Sequence, residues 1–511
     1  MYPCFVKNRR DAARGGYTNN ITQDPQSGYK KMLNWLNETL LEAREHFKRS
    51  STHQWFVIIV LGLMIGQDHV GVTSIIRELW LSPQHYDALL HFFRSTAWKI
   101  ESLRCWWFRV VLKSGVLYQE NGMPVMIGDG TKKSKEGRKM PCVKRLHQES
   151  GNSAKPSYIF GHMFGMIGVL AGNVGKLFCV PLSIKIHDGD HHIRCWGAQE
   201  QPEPARESHV VRIIKDASQC AKQLGKSILL LDAYYLSVPA LVALAEESCA
   251  AGRDLLSIVV RAKKNVTAFR LPVRKPGRGR PPVKGESVKL MEWFKSCQDA
   301  LATTTVMLYG KEETVSFLSC DLLWGDKHYQ LLRFVVAQIS GGNVIILASN
   351  DLTLTPVQII RLYSYRFKIE CAFSQLKNTL AGFAYRFWST AMPKLDRYAS
   401  NETEPLEAVE RENDKKLIGA AFRATQSYVA VSAIALGLLQ ICALRFTNEI
   451  NSSPLRWIRT RTNRVPSEAT TADFLRKSIF RSFASTANLS IIRFILQRHS
   501  IDAAHDNSLS A

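Results

Sequence analysis

Apolar residues recur at helical spacing from residue 30 to about 115, through KMLNWLNETLLEAREHF, WFVIIVLGLMI, VTSIIRELW and YDALLHFFRSTAWKI. This period predicts an all-helical N-terminal unit. Inside it VGVTSIIRELWLSPQHYDALLHFFR reads as helix, short turn, helix, with Ser82 as the cap and Pro83 at the first helical position. From residue 124 the period changes. Residues 124–129 form a short apolar run closed by a carboxylate and read as a strand, while YIFGHMFGMIGVL (158–170) and KLFCVPLSIKIH (176–187), joined by AGNVG, read as a hairpin. A helix at about 204–224 closed by Gly225 comes next, then a strand at 227–232, a helix from Pro239 to about Ala250, and a strand at 255–262. The order β-β-β-α-β-α-β makes this an α/β chain.

Further strands are predicted at 303–309, 312–323, 329–339 and 343–351. Between 261 and 289 stand ten Lys or Arg and one acid, with Pro and Gly clustered in RKPGRGRPPVKG. Such a stretch cannot be core, so 263 to about 340 reads as a β-rich insertion before the last core element. Thr355-Pro-Val-Gln358 is a capping box with Pro at its first helical position, and it opens a helix predicted to run to about Leu380. Residues 395–416 are polar and read as a loop, helices are predicted at about 417–447, 471–484 and 487–499, and the last residues read as a frayed tail.

At 511 residues with 46% hydrophobic and 10% aromatic residues, the chain is long and apolar enough for about three domains. It is neither disordered nor fibrous in composition. The net charge of +23 draws polyanions to the surface and makes nucleic acid the first partner to consider, with a merely solubilising charge excess as the alternative. In that light the helix pair around Ser82 either docks in a DNA groove or is an ordinary helix pair. The eleven cysteines include no C-x-x-C pair, so neither a zinc site nor a disulfide framework is indicated. The start lacks the h-region of a signal peptide, and the apolar run 55–66 is too short for a bilayer. The longer run 428–444 carries Ser432 and Gln440 and reads as a buried helix. The expectation is a cytoplasmic, nucleoid-associated protein with no membrane partner.

Asp129 and Asp232 each close an apolar strand, where open α/β sheets present ligands, and Glu370 lies on the capped helix after the last strand. Three carboxylates brought together repel unless hard divalent ions take their oxygens, and two such ions suit phosphodiester cleavage. Singly, an Asp at a strand end is more often an ordinary turn residue. The helix sharpens the case: Tyr363, Arg366, Glu370 and Lys377 form Y-x2-R-x3-E-x6-K. At about 100° per residue they fall at roughly 0°, −60°, −20° and −40°, one narrow face. That face sets a carboxylate among a guanidinium, an ammonium and a phenol, a set fit to hold a phosphate, although a solvated Arg-Glu face has the same spacing.

These residues resemble a known family, the DDE transposases of bacterial insertion sequences, in the group defined by the Y-x2-R-x3-E-x6-K signature. All four signature positions match, Asp129 and Asp232 match the first two acids, and a β-rich insertion precedes Glu370. GDGTKKSKEGRKMP resembles the stretch around the first acid of related transposases. The resemblance covers about 124–390. It implies an RNase H-like core, a mixed sheet flanked by helices, that binds two Mg²⁺ ions (Mn²⁺ as substitute) at Asp129, Asp232 and Glu370. It also implies cutting at the element ends and attack of the freed 3′-OH on target DNA, with Tyr363, Arg366 and Lys377 holding phosphates. A hairpin intermediate with a stacking Trp occurs in relatives, and Trp293 and Trp324 are the candidates here.

Two basic stretches fit a DNA path apart from any family. Residues 132–145, beginning Lys132 and Lys133, hold seven Lys or Arg and one Glu, and backbone phosphates are their natural ligand. Arg278-Gly-Arg280-Pro has the compact shape of a minor-groove hook, or is a flexible basic linker. HDGDHHIR (187–194) gathers three His and two Asp, which a strand-to-helix loop explains without a metal; no G-x-x-x-x-G-K-[ST] suggests ATP use. The expected division is 1–118, a helical DNA-binding region; 119–262, the first part of the RNase H-like core; 263–342, the β-rich insertion with its basic linker; 343–390, the second part of the core with the signature helix; and 391–511, a helical C-terminal region. The expected partners are double-stranded DNA with terminal inverted repeats and target DNA, bound by a homodimer that synapses two ends. The rival readings are a nuclease without strand transfer and a non-catalytic DNA-binding descendant of a transposase.

Overall fold

The computed structural model describes residues 25–68, 71–148, 156–197, 206–273, 281–340, 342–396, 405–453, 464–484 and 489–499. The N-terminal helical period is realised as α1 (Pro25–Glu42), α2 (Ser50–Ile65), α3 (Val72–Glu78), α4 (Tyr86–Arg94) and α5 (Ile100–Lys113). α2 is apolar all round, and residues from Phe56 to Ile65 are buried, as a helix with no polar face requires. Between α3 and α4, Ser82 makes no side-chain cap; residues Pro83–His85 form a single 3-10 turn instead. Trp80 ahead of that turn stacks on Phe480 at 5.1 Å, and the Ser82 N–H donates to the Arg498 carbonyl at 2.8 Å. The turn of the helix pair is thus packed against the C-terminal region.

The sheet centres on β1 (Met123–Ser134), β2 (Tyr158–Asn173), β3 (Lys176–Ile186), β4 (Ser227–Leu231) and β5 (Leu256–Ala262). Their spatial order is β3-β2-β1-β4-β5, with β1, β2 and β3 antiparallel and β4 and β5 parallel to β1. That order and those directions are those of an RNase H-like core. The crossovers are α6 (His209–Leu224), capped by the Ser208 hydroxyl accepting from Val211 N–H, and α7 (Val238–Ala251), capped likewise by Ser237. Strands β6 (Ala302–Leu308), β7 (Lys311–Trp324), β8 (Gln330–Ile339) and β9 (Val344–Ser349) do not stand apart. β9 pairs antiparallel with β5, β8 with β9, β7 with β8 and β6 with β7, so the segment between the basic linker and the signature helix widens the same mixed sheet.

Two ties fix how the chain leaves this sheet. Arg333 on β8 binds Asp321 on β7 at 2.8 and 2.9 Å and the carbonyls of Leu352 and Leu354 at 2.7 and 3.0 Å, which holds the turn ahead of Thr355. The buried Glu120 accepts from Gln358 at 2.8 Å and Arg361 at 2.6 Å, drawing the next helix onto the start of β1. The capping box forms as expected: Thr355 accepts from Gln358 N–H while the Gln358 side chain accepts from Thr355 N–H. The single helix expected to reach Leu380 is broken, however, into α8 (Pro356–Ser364) and α9 (Lys368–Asn378). Tyr363, Ser364, Tyr365 and Phe367 are weak helix formers, and the Ser364 hydroxyl bonds back to the Arg361 carbonyl at 2.6 Å. The backbone tightens there to i→i−3 bonds, among them Arg366 N–H to Tyr363 C=O and Glu370 N–H to Phe367 C=O, both 3.0 Å.

The C-terminal region holds α10 (Glu412–Arg445), α11 (Glu468–Ala484) and α12 (Ser490–Leu496). α10 begins five residues before the sequence expectation, because its first turn is polar. Glu412 and Asp414 there complement the helix dipole, which a reading of polarity alone takes for a loop. Among the described residues α10 is the one helix long and apolar enough to cross a membrane, and 89% of its apolar window is buried inside this protein. It lies against β3, α2, α4 and α11. Gly437 permits the approach, since a Cβ there would meet the Trp107 ring at 2.4 Å, while Trp107 donates to the Pro181 carbonyl at 2.7 Å where β3 bulges. One continuous core cluster includes residues of the N-terminal helices, the sheet and α10.

Candidate active site

In the parallel register of β1 and β4, Val125 lies beside Ile228 and Ile127 beside Leu230. Carried on by two residues, that register sets Asp129 beside Asp232, both on one face. Asp129 sits between Gly128 and Gly130, and its Oδ1 accepts from Gly130 N–H at 2.7 Å. Asp232 caps the 3-10 turn Ala233–Tyr235, accepting from Ala233 N–H at 2.8 Å, and the turn carries the Tyr235 hydroxyl back to within 3.3 Å of Asp129 Oδ1. Glu370 comes from the first turn of α9 and is 60% exposed.

One guanidinium joins all three acids. Arg366 donates to Asp129 Oδ2 at 3.0 Å, to Asp232 Oδ2 at 3.2 Å and to Glu370 Oε1 at 2.9 Å, and its side chain is only 12% exposed. Burial alone would lower the Arg366 pKa, but Asp129 and Asp232, with Tyr363 and Glu370, outweigh it and raise the value above the ordinary one. Asp129 moves the other way from a typical paired carboxylate. Burial pushes its pKa up, Asp232 and Glu370 add to the rise, and Arg366 with the Gly130 N–H offsets only part of it. Tyr363 donates to Asp232 Oδ1 at 3.2 Å, and its phenol is pushed up by burial and by that carboxylate. Lys377 donates to the Thr131 hydroxyl at 2.7 Å, two residues along β1 from Asp129.

Three carboxylates from three elements converging on one cation is a donor set that suits a hard divalent ion. Among the described residues no three acidic, imidazole or thiol side chains surround a common point closely enough for an ion as they stand. The Arg366 guanidinium fills the space between them. It offsets the mutual repulsion of the three carboxylates, and hard carboxylate oxygens of this kind are the donor set that a divalent metal takes.

Beside the triad opens a cavity of about 880 Å³ lined by Lys133, Lys135, Arg138, Lys139, Lys377, Arg386 and Lys394, with Glu136 the one acid among the described residues of its wall. Trp388 stands on its wall, 54% exposed. Lys135 donates to the carbonyls of Phe383 and Tyr385 at 2.6 and 2.9 Å, lies over the Tyr385 ring, and is pulled down to a pKa of about 7 by burial and by Lys133 and Arg386. The wall of the cavity is strongly basic and carries one exposed indole, that of Trp388.

Of the residues singled out from sequence, Asp129, Asp232, Tyr363, Arg366, Glu370 and Lys377 come together. Lys133 lines the adjoining cavity, while Lys132 points elsewhere and bonds to the His147 carbonyl. Arg278 and Arg280 lie outside the described residues. Trp293 and Trp324 both pack against the core. In HDGDHHIR, Asp188 pairs with Lys144 at 2.9 Å, and Asp190 takes both arms of Arg212 at 2.8 and 2.9 Å. Lys135 falls within the basic stretch 132–145 that the sequence assigns to backbone phosphates, whereas Tyr235, Arg386 and Trp388 are not singled out there. Only Tyr235 had a usable signal, its place three residues after Asp232.

The family described as "DDE superfamily endonuclease" matches residues 42–309, a span that includes Asp129 and Asp232 and ends before Glu370. No curated protein matches the chain. Among solved structures, a piggyBac transposase synaptic complex with hairpin DNA, determined by cryo-EM, is similar at 13% identity and a TM-score of 0.35, covering 96% of this chain and 85% of that one.

Proposed function

The chain belongs to the DDE superfamily of endonucleases, and from that premise we propose that it is a transposase of the kind that carries the Y-x2-R-x3-E-x6-K signature. It cleaves the ends of a DNA element and joins them to target DNA. The observation that carries this reading is the single Arg366 guanidinium bound by Asp129, Asp232 and Glu370. Two Mg²⁺ ions, or Mn²⁺ in their place, held by those three carboxylates would activate the attacking oxygen and stabilise the leaving one.

The chain's own residues supply the rest. Arg366, released from the carboxylates, has the planar fork that grips a phosphate by two bonds. Lys377 and Tyr363 stand on either side of it, and the basic cavity from Lys133 to Lys394 continues the track for the strand leading away. Lys132 adds to the basic charge of the stretch that follows Asp129, and Arg278 with Arg280 acts as the hook in the minor groove of the end. In this account residues 1–118 and the 263–342 insertion help bind terminal inverted repeats, 119–262 and 343–390 form the catalytic core, and 391–511 supports it. A homodimer synapses two ends, and the protein works at the nucleoid, in the cytoplasm.

The deciding experiment supplies a labelled element end, unlabelled target DNA and Mg²⁺. A labelled product longer than the input, lost in Asp232→Asn, is the expected result. Cleaved end without joined product means a nuclease that does not transfer strands, and binding without either means a DNA-binding protein that has left chemistry behind.

A further inference from the structure

Behind Asp129 runs a chain of buried polar groups that the cleavage chemistry does not use. Asp216 Oδ2 lies 2.9 Å from His187 Nε2, His187 Nδ1 lies 2.9 Å from His209 Nδ1, and His209 Nε2 lies 2.9 Å from the Tyr235 hydroxyl. That hydroxyl is also 3.3 Å from Asp129 Oδ1. The sheet beneath is bare for these rings. Gly130 and Gly165 are direct partners across β1 and β2; a Cβ on Gly165 would stand 2.1 Å from the His187 ring, and one on Gly130 2.6 Å from His209 Nε2. Side chains at either position would expel the imidazoles.

The protons on this chain can be placed in only one way. Asp216 is held ionised, well below the usual carboxylate range: burial opposes this, but the bonds from His187 and Lys185 prevail. Burial keeps both imidazoles neutral, with His209 pulled down to about 3. An ionised Asp216 can only accept, so His187 carries its one proton on Nε2 and presents a bare Nδ1. His209 then carries its proton on Nδ1 and presents a bare Nε2 to the phenol. The Tyr235 hydroxyl has one proton and two acceptors in reach, and the bare His209 Nε2 is the nearer.

We infer that Asp216, His187 and His209 are positioning residues that turn the Tyr235 proton away from Asp129 and leave the Asp129 Oδ1 lone pair to a divalent cation. The inference rests on Asp129 being a metal ligand. Asp216→Asn keeps an oxygen for Lys185 but turns an amide donor toward His187 Nε2. That reverses every bond in the chain, so the phenol proton falls on Asp129 and competes with the ion. His209→Leu removes the alternative acceptor and has the same consequence while leaving the Asp216–Lys185 pair in place.

Calorimetric titration of the full-length protein with Mn²⁺, without DNA, tests this. Asp216→Asn and His209→Leu are each expected to weaken Mn²⁺ binding about tenfold, the scale of an outer partner of a metal ligand. Combining either with Tyr235→Phe, which removes the competing proton, should restore affinity to that of Tyr235→Phe alone. Wild-type affinity in both single variants overturns the inference, and so do double variants that remain as weak as the single ones, since that pattern marks plain structural damage. Asp129→Asn separates the two levels. If it binds Mn²⁺ as wild type does, Asp129 is no ligand and the inference falls with the metal reading; if it weakens binding while Asp216→Asn and His209→Leu do not, the inference falls alone.

Discussion

Asp129 carries a conflict between folding and function that can be measured. Its pKa is raised in the folded protein by burial and by the neighbouring acids, and a carboxyl raised in this way stabilises the fold only while protonated. Above the unfolded value, about 3.9, that stability is lost progressively as pH rises through the folded value. Asp129→Asn is therefore expected to raise the metal-free Tm at pH 7, by about 1 °C per kcal/mol gained in a chain of this length, while abolishing cleavage. The gain should vanish as the pH falls toward the unfolded pKa. Differential scanning calorimetry across pH checks both the sign and the window. Arg366→Ala is expected to do the opposite to stability, because it leaves three facing carboxylates without their shared cation. Its metal-free Tm should fall and Mg²⁺ should recover more of it than in wild type. Single-turnover cleavage should lose roughly 2–4 kcal/mol of transition-state stabilisation, and Arg366→Lys should fail as well for want of the two-pronged contact. These residues were legible in the sequence because one helical face and two strand ends supply them, and local periodicity reports both. Arg386 was not, since the cavity it shares with Lys135 is made by segments about 250 positions apart that meet only in the fold.

At the scale of elements, the broken signature helix shows what a period leaves out. A 3.6-residue period sets Tyr363, Arg366, Glu370 and Lys377 on one face, and their side-chain bonds run to Asp232, to Asp129, to one another and to Thr131, but the tightened turn at 365–367 is a tertiary choice. The sheet tells a similar story: strand positions 302–349 followed from alternation, whereas their edge-to-edge joining to β5 through β9 depends on pairings no local pattern encodes. The basic segment that follows β1 gives a pH test. Lys135 sits at a pKa of about 7, and a bound phosphate would raise it, so binding takes up a proton. Affinity for a DNA end, measured at constant ionic strength, should increase several-fold as the pH falls from 8 to 6. Lys135→Met should flatten that dependence, whereas an unflattened profile would take Lys135 out of the DNA path.

For the whole molecule, α10 is the spine against which the central sheet and the N-terminal helices are built. Composition foretold a buried helix there, but not that its Gly437 face is shaped to the Trp107 indole. Gly437→Val should cost at least about 1–3 kcal/mol by overpacking, read as a shift in urea midpoint, and should reduce cleavage only in proportion to the folded fraction. Glu370 is the one member of the proposed triad outside the span that matches the family, and it is assigned by the signature and by its bond to Arg366. The most direct test is single-turnover cleavage of a pre-bound DNA end in Mg²⁺ by Glu370→Gln, with end binding measured in parallel. Cleavage should fall by about a thousandfold or more while binding changes by less than about twofold, the loss of a metal ligand without loss of shape. Cleavage at the wild-type rate would contradict the assignment of Asp129, Asp232 and Glu370 as one catalytic triad.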